Sequence, residues 1–151
     1  MASPLPNIRV VAPRTDEDFE RYFDLRWRIL RAPWQQPRGS ERDERENESI
    51  HLMLRGADDG EVLAAGRVHL NSPTEAQVRF MAVDSRAQGQ GLGSLLLRNL
   101  EERARAAGAQ RVILNARASS ERFYLRNGYE SIGPAATLFG EIAHVKMQKH
   151  L

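Results

Sequence analysis

The amino-acid sequence predicts a mixed α/β fold, a central twisted sheet with helices packed against it. Three observations carry that prediction. Residues 15–30 and 91–107 set apolar side chains at helical spacing. Short runs rich in Val, Ile, Leu and Ala recur between them and after them, with the alternation or continuity of strands. The run 78–83 enters the second helix through a glycine-rich turn, a junction typical of α/β chains. The resulting order is βαβββαβαββ. With 151 residues and no low-complexity tract or internal repeat, one domain around one core is expected.

Ile8-Arg-Val-Val11, between Pro6 and Pro13, is the first strand. Thr15 followed by an acid at Asp18 opens a helix, Phe19, Phe23, Trp27 and Leu30 give it an apolar face, and Pro33 stops it. Residues 34–49 change character: charges of both signs alternate with little apolar content, so a solvated loop or short exposed helix is expected. Residues 50–54 and 61–70 are strands about a turn in which Asp59-Gly60 is the hairpin signal. On the second of them Val62, Ala64, Gly66, Val68 and Leu70 face one way and Leu63, Ala65, Arg67 and His69 the other. A turn at 71–74 leads into a third strand, 76–83, where Val78, Phe80 and Ala82 alternate with Gln77, Arg79, Met81 and Val83.

The helix from Gly91 buries Leu92, Leu96, Leu100 and Ala107, with Leu95 and Ala104 beside them. Arg98, Glu101, Glu102 and Arg105 mark its wet side, and Gly108 ends it. Residues 111–115 form a buried strand and 118–127 a short helix ended by Gly128. Residues 129–132 and 142–147 pair as closing strands about Gly133-Pro134.

Composition removes several function classes. Without cysteine there is no disulfide framework, thiolate metal site or cysteine nucleophile. The four histidines lack paired helical spacing, so no metal is expected. A net charge of +2, with cations interleaved among acids as in Glu101-Glu-Arg-Ala-Arg105, argues against nucleic acid. Residues 1–7 lack the basic start and apolar centre of a secretory signal, and no run is long enough for a membrane span. A cytoplasmic protein with no membrane partner is expected.

The chemistry concentrates in Val83-Asp-Ser-Arg-Ala-Gln-Gly-Gln-Gly-Leu-Gly-Ser94. Gly89, Gly91 and Gly93 lie where a strand stops and a helix starts. The first N–H groups of a helix have no internal partner and carry partial positive charge, and glycines let an anion approach them. A phosphate or pyrophosphate ligand follows. The dinucleotide fingerprint is missed by one residue, and there is no Gly-Lys-Ser/Thr of a P-loop.

Gln88-Gly-Gln-Gly-Leu-Gly93 resembles the Gln/Arg-x-x-Gly-x-Gly/Ala pyrophosphate loop of the GNAT superfamily of acetyl-CoA-dependent acyltransferases. A second block, Asn115-Ala-Arg-Ala118, Phe123-Tyr124 and Asn127-Gly-Tyr129, is similar to the family's later motif in order and spacing. The resemblance covers residues 79–129. It implies a GNAT-like acyl-CoA N-acyltransferase fold with a mostly antiparallel sheet and transfer of an acetyl group from acetyl-CoA to an amine. It implies CoA contacts at Met81, Ala82, Val83, Gln88, Gly89, Gln90, Gly91, Gly93, Ser94 and Asn115. The third strand of the meander would splay from its neighbour, freeing backbone at Met81 and Val83 for the pantetheine arm, and Tyr124 would protonate the departing thiolate. The family shares no single base; His144 is the first candidate, with Glu141 and Arg79 as substrate-pocket residues, while His51, His69 and His150 read as structural or terminal. The expected partner is a small-molecule amine or amino acid, and a homodimer is compatible with the fold. The alternatives are a non-catalytic acyl-CoA-binding or sensing domain and a protein or peptide N-acetyltransferase.

Overall fold

Thr15 caps the first helix reciprocally: its hydroxyl accepts from the Asp18 N–H at 3.0 Å while the Asp18 carboxylate accepts from the Thr15 N–H at 3.3 Å. The computed structural model describes residues 7–58 and 60–151. Its elements are β1 (Ile8–Val11), α1 (Asp16–Leu30), β2 (Ile50–Gly56), β3 (Val62–Leu70), β4 (Glu75–Val83), α2 (Leu92–Ala106), β5 (Arg111–Arg117), α3 (Glu121–Arg126), β6 (Glu130–Leu138) and β7 (Ile142–His150). The order is the predicted βαβββαβαββ. The strands form one mixed sheet in the order β1-β2-β3-β4-β5-β7-β6. β4 and β5 run parallel, whereas β1–β2, β5–β7 and β6–β7 are antiparallel. Residues 1–6 and Asp59, and with them the reading of the N-terminus and of the Asp59-Gly60 turn signal, lie outside the described residues.

Contacts divide the chain into two compact units, Met1–Arg67 with Phe80–Leu100, and Val68–Arg79 with Glu101–Leu151. In the first, α1 buries Tyr22, Phe23 and Leu25 against Met53, Val62 and Ala65. The face differs from the expected stripe. Trp27 and Leu30 stay partly exposed, because the Trp27 indole N–H donates to the Gln36 carbonyl at 3.0 Å and the Arg38 guanidinium stacks on its ring. Arg26 is fully buried instead. β3 is buried along both faces, and a Cβ at Gly66 would stand 2.8 Å from the Met81 sulfur and 3.1 Å from Leu100. Any side chain there would have to push the Met81 and Leu100 side chains aside.

Residues 34–49 were expected to be solvated. They form turns and one short 3-10 segment, Glu46–Glu48, yet Glu41 is buried and Asp43 and Glu46 turn inward onto arginines. Buried cations require anions, so this segment is drawn onto the core.

In the second unit β5 pairs with β7 over seven positions, from Arg111–His150 to Arg117–His144. The expected helix 118–127 is a 3-10 turn, Ala118–Ser120, followed by α3. β6 does not turn at Gly133-Pro134. It continues to Leu138 with register shifts after Ser131 and Ala135, and the reversal falls at Phe139 and Gly140, both at positive φ. β6 ends the sheet order, and at an edge Pro134 need supply no ladder donor. Ala107 is exposed, one residue past α2.

Glu101 is not on a wet side: it is 5% exposed, accepts the Tyr129 hydroxyl at 2.8 Å and the Lys149 ammonium at 2.9 Å. Burial, then the Glu101 charge and hydrogen bond, push the Tyr129 hydroxyl above the ordinary phenol range. Glu101→Ala would strand a buried hydroxyl and an ammonium, and should cost about 2–3 kcal/mol, read as a lower urea midpoint at constant m. Glu101→Gln retains an acceptor for Tyr129 and should lose less. Equal stability of all three proteins would refute this account of the pair.

Candidate active site

β4 buries Val78, Phe80 and Ala82 and leaves Met81 and Val83 half-buried, as the alternation predicts. Its ladder with β5 runs from Glu75–Arg111 to Gln77–Ile113 and ends there. Three residues later Phe80 has φ +55°, a left-handed conformation inside a strand. For an aromatic L-residue this conformation is an outlier worth ~1–2 kcal/mol of strain. It rotates the adjoining peptide planes away from regular strand geometry.

Asp84 closes the strand. Its N–H donates to the Leu63 carbonyl at 2.8 Å, and its carboxylate accepts the Arg86 N–H at 2.9 Å, opening the 3-10 turn Ser85–Ala87. Burial works to raise this carboxyl, but hydrogen bonds from Arg86 and the charges of Arg86 and Arg28 hold it below the usual range. Gln88 donates to the Val83 carbonyl at 3.2 Å. Gly89 and Gly91 then take φ +78° and +80°, and no atom lies within 4 Å of where a Cβ would stand on either. These glycines serve the backbone path and leave open space above it. The Gly91 carbonyl accepts the first helical bond of α2, from Leu95 at 3.1 Å, so the N–H groups ahead of Leu95 lie at the positive end of the helix. Met81, Ala82, Val83, Gln88, Gly89, Gln90, Gly91, Gly93 and Ser94 thus belong to one strand–turn–helix segment.

Behind Phe80 lies a charge cluster that the sequence did not signal. Arg26 and Arg67 are both 0% exposed. The Glu46 carboxylate takes Arg26 at 3.1 and 2.8 Å and Arg67 at 2.7 Å, while Asp43 takes Arg67 at 2.6 and 3.0 Å. The Arg26 guanidinium also donates to the Glu41 carbonyl. Burial works to raise the Glu46 carboxyl; its hydrogen bonds and the arginine charges hold it low. His51 bridges the Tyr22 hydroxyl and the Glu46 carbonyl, each at 2.8 Å, and Tyr22 donates to the Gly66 carbonyl at 2.9 Å. Burial pulls His51 below the ordinary imidazole value, Arg26 and Arg67 assisting and Glu46 opposing. His51 is a structural histidine, as expected. So is His69, bonded to Asn71 at 3.1 Å.

In the second unit Asn115 lies exposed on β5 opposite Lys146, and His144 lies opposite Arg117, so these four share one face of the sheet. The His144 Nδ1–H donates to the Ile142 carbonyl at 2.8 Å, leaving Nε2 outside that bond. Tyr124, on α3, is 8% exposed, its ring edge-on to Phe123 at 4.9 Å and to Tyr129 at 5.7 Å. Its hydroxyl has no hydrogen-bond partner among the described residues, and burial pushes it above the ordinary phenol range while Arg117 pulls it back. Arg79 is half-buried on the face of β4 that carries Gln77. Glu141 is exposed in the turn before β7. No group of three or more His, Asp or Glu side chains among the described residues is arranged to hold a metal, and no described helix is long and apolar enough to cross a membrane.

The strand–glycine turn–helix segment and the Tyr124 region fall within the span, residues 19–129, that matches the model of the acetyltransferase (GNAT) family. An uncharacterized N-acetyltransferase of Bacillus subtilis (strain 168), YjcF, is 29% identical over 143 residues, covering 94% of this chain and 99% of the relative. Among solved structures, a candidate N-acetyltransferase from Lactobacillus plantarum superposes with a TM-score of 0.83 at 18% identity, covering 96% of this chain and 99% of that one. A GNAT family acetyltransferase from Elizabethkingia anophelis, with acetyl-CoA bound, reaches 0.74 at 13% identity, covering 97% and 99%. The family span takes in β2 to α3 whole, with the glycine turn inside it, and the chain belongs to the GNAT acetyltransferase family.

Proposed function

We propose that the chain transfers an acetyl group from acetyl-CoA to the primary amine of a small molecule or amino acid, by direct attack in a ternary complex. The observation that carries this reading is the open space above Gly89 and Gly91 at the start of α2. A pyrophosphate there meets backbone N–H groups and the helix dipole without a Cβ in the way. Gln88, Gln90, Gly93 and Ser94 complete that cradle. The Met81, Ala82 and Val83 backbone takes the pantetheine arm and the thioester carbonyl, with Asn115 on the pantetheine.

In the reaction the amine nitrogen bonds to the thioester carbon and the carbonyl electrons move to oxygen. Backbone N–H groups at 81–83 stabilise that oxyanion. The carbon–sulfur bond then breaks, Tyr124 gives its proton to the thiolate, and His144 Nε2 takes the proton lost by the amine. Two features support these assignments: the Tyr124 hydroxyl is buried without a hydrogen-bond partner among the described residues, and the Ile142 carbonyl engages His144 Nδ1, leaving Nε2 for the amine. Arg79 and Glu141 line the acceptor side.

Acetyl-CoA at a hundred times its dissociation constant should stabilise the protein by about 2.7 kcal/mol. A melt moved by ATP or NAD and not by acetyl-CoA would overturn the cofactor assignment.

Gly91→Val and Gly39→Val provide a matched pair, because both positions have positive φ and open space around the added side chain. Both should lose stability to backbone strain, ~1–2 kcal/mol. Only Gly91→Val should weaken CoA binding in calorimetry, by more than about tenfold. Equal affinities would mean that the glycines serve the turn alone.

Tyr124→Phe keeps the ring packing and removes the donor. After an acceptor screen that follows thiol release, kcat should fall on the order of 10²-fold with acetyl-CoA affinity little changed. Equal kcat values would remove Tyr124 from the mechanism. Absence of turnover in the parent protein, with acetyl-CoA bound, would point to the sensing domain.

A further inference from the structure

Phe80 holds a left-handed conformation in mid-strand, directly before the backbone assigned to the thioester. Three guanidinium groups surround its ring: the Arg26 carbon lies 4.0 Å from the ring centroid, Arg67 5.1 Å and Arg31 5.4 Å. Each is within cation–π range. Arg26 and Arg67 cannot swing away, because Glu46 and Asp43 pin them through the planar forks described above. A leucine-lined pocket would bury the ring as well, without the desolvation of two charges. What the ion pairs add is direction: fixed guanidinium groups hold the ring, and the held ring leaves its own backbone little freedom to relax to an ordinary strand φ.

We propose that Arg26 and Arg67, bridged by Glu46, are positioning residues that hold Phe80 in its left-handed conformation and so aim the Met81–Val83 N–H groups at the acyl carbonyl. This rests on the reading of that backbone as the thioester site. The clamp acts on the carbonyl and not on the nucleotide end of the ligand, since the pyrophosphate cradle begins at Gln88, beyond the Asp84 turn. A loosened clamp therefore has a signature: recognition of the carbonyl falls much further than recognition of CoA, which keeps its pyrophosphate cradle and loses only pantetheine contacts to the same backbone.

The test uses two ligands, CoA and S-acetonyl-CoA, a ketone analogue that carries the carbonyl but cannot transfer it. Calorimetry gives the ratio of their dissociation constants in the full chain. The parent protein should prefer the ketone. Phe80→Leu, which keeps an apolar side chain but offers no π face, should lose that preference about tenfold while CoA affinity stays within about threefold. Phe80→Tyr should retain the preference. Arg26→Met should reproduce the loss alone and add little in the Phe80→Leu background, as expected of residues acting as one unit. Should Arg26→Met fail to fold, the Leu and Tyr variants still decide. A preference retained in Phe80→Leu, a parallel fall in CoA affinity, or no preference in the parent protein would overturn the clamp and leave the CoA assignment standing. Failure of the parent protein to bind either ligand would remove the proposed function, and the clamp with it.

Discussion

Two guanidinium groups removed from water set the terms for much of the first unit. Arg26 on α1 and Arg67 on β3 are fully buried. Charges in that position must be neutralised nearby or they would not be buried at all. The acidic segment after α1 supplies the anions, with Glu46 shared between both cations and Asp43 on Arg67. The path of residues 40–49 follows from this requirement more than from any local preference of their own. The His51 bond to the Glu46 carbonyl fastens the same turn from β2, and the Phe80 ring lies against the cations.

The same concern for where polar groups end shapes the route from β4 to α2. A strand that ran on would leave no room for a turn, and a helix begun directly would hide its N–H groups. Asp84 stops the strand by tying its own N–H to β3 and its carboxylate to the next turn. Gly89 and Gly91 then carry the chain through conformations that side chains oppose. The outcome is open space where a Cβ would stand on either glycine, at the positive end of α2.

The second unit handles its polar groups by contrast. Tyr129 and Tyr124 stand edge to face at 5.7 Å, yet their hydroxyls differ in purpose. The Tyr129 hydroxyl donates a hydrogen bond to Glu101 in a buried pair completed by Lys149, an arrangement that ties α2 to β7. Tyr124 has no such acceptor among the described residues, and burial preserves its neutral form. The first phenol is satisfied by a buried acceptor; the second is buried with its ring packed on aromatic neighbours.

The sequence by itself determined the order of elements, the capping of α1, the glycine junction and the family. Each depends on residues near one another in the chain: Thr15 with Asp18, Gly91 ahead of Leu92 and Leu96, Asn115 followed by Tyr124. Short-range geometry and periodicity are legible there because the physics acts over a few residues. The tertiary structure alone decided which side of α1 is covered, that Arg26 and Arg67 lie inside, that Glu46 and Glu101 are buried partners, and that β6 runs past Gly133-Pro134. No local pattern marks Arg26 for burial, and Glu101 sat among the wet positions of an amphipathic helix. The fate of a charge depends on what the rest of the chain brings to it. Glu46 meets Arg67 across twenty-one residues and Glu101 meets Lys149 across forty-eight, distances over which a sequence pattern carries no electrostatic information.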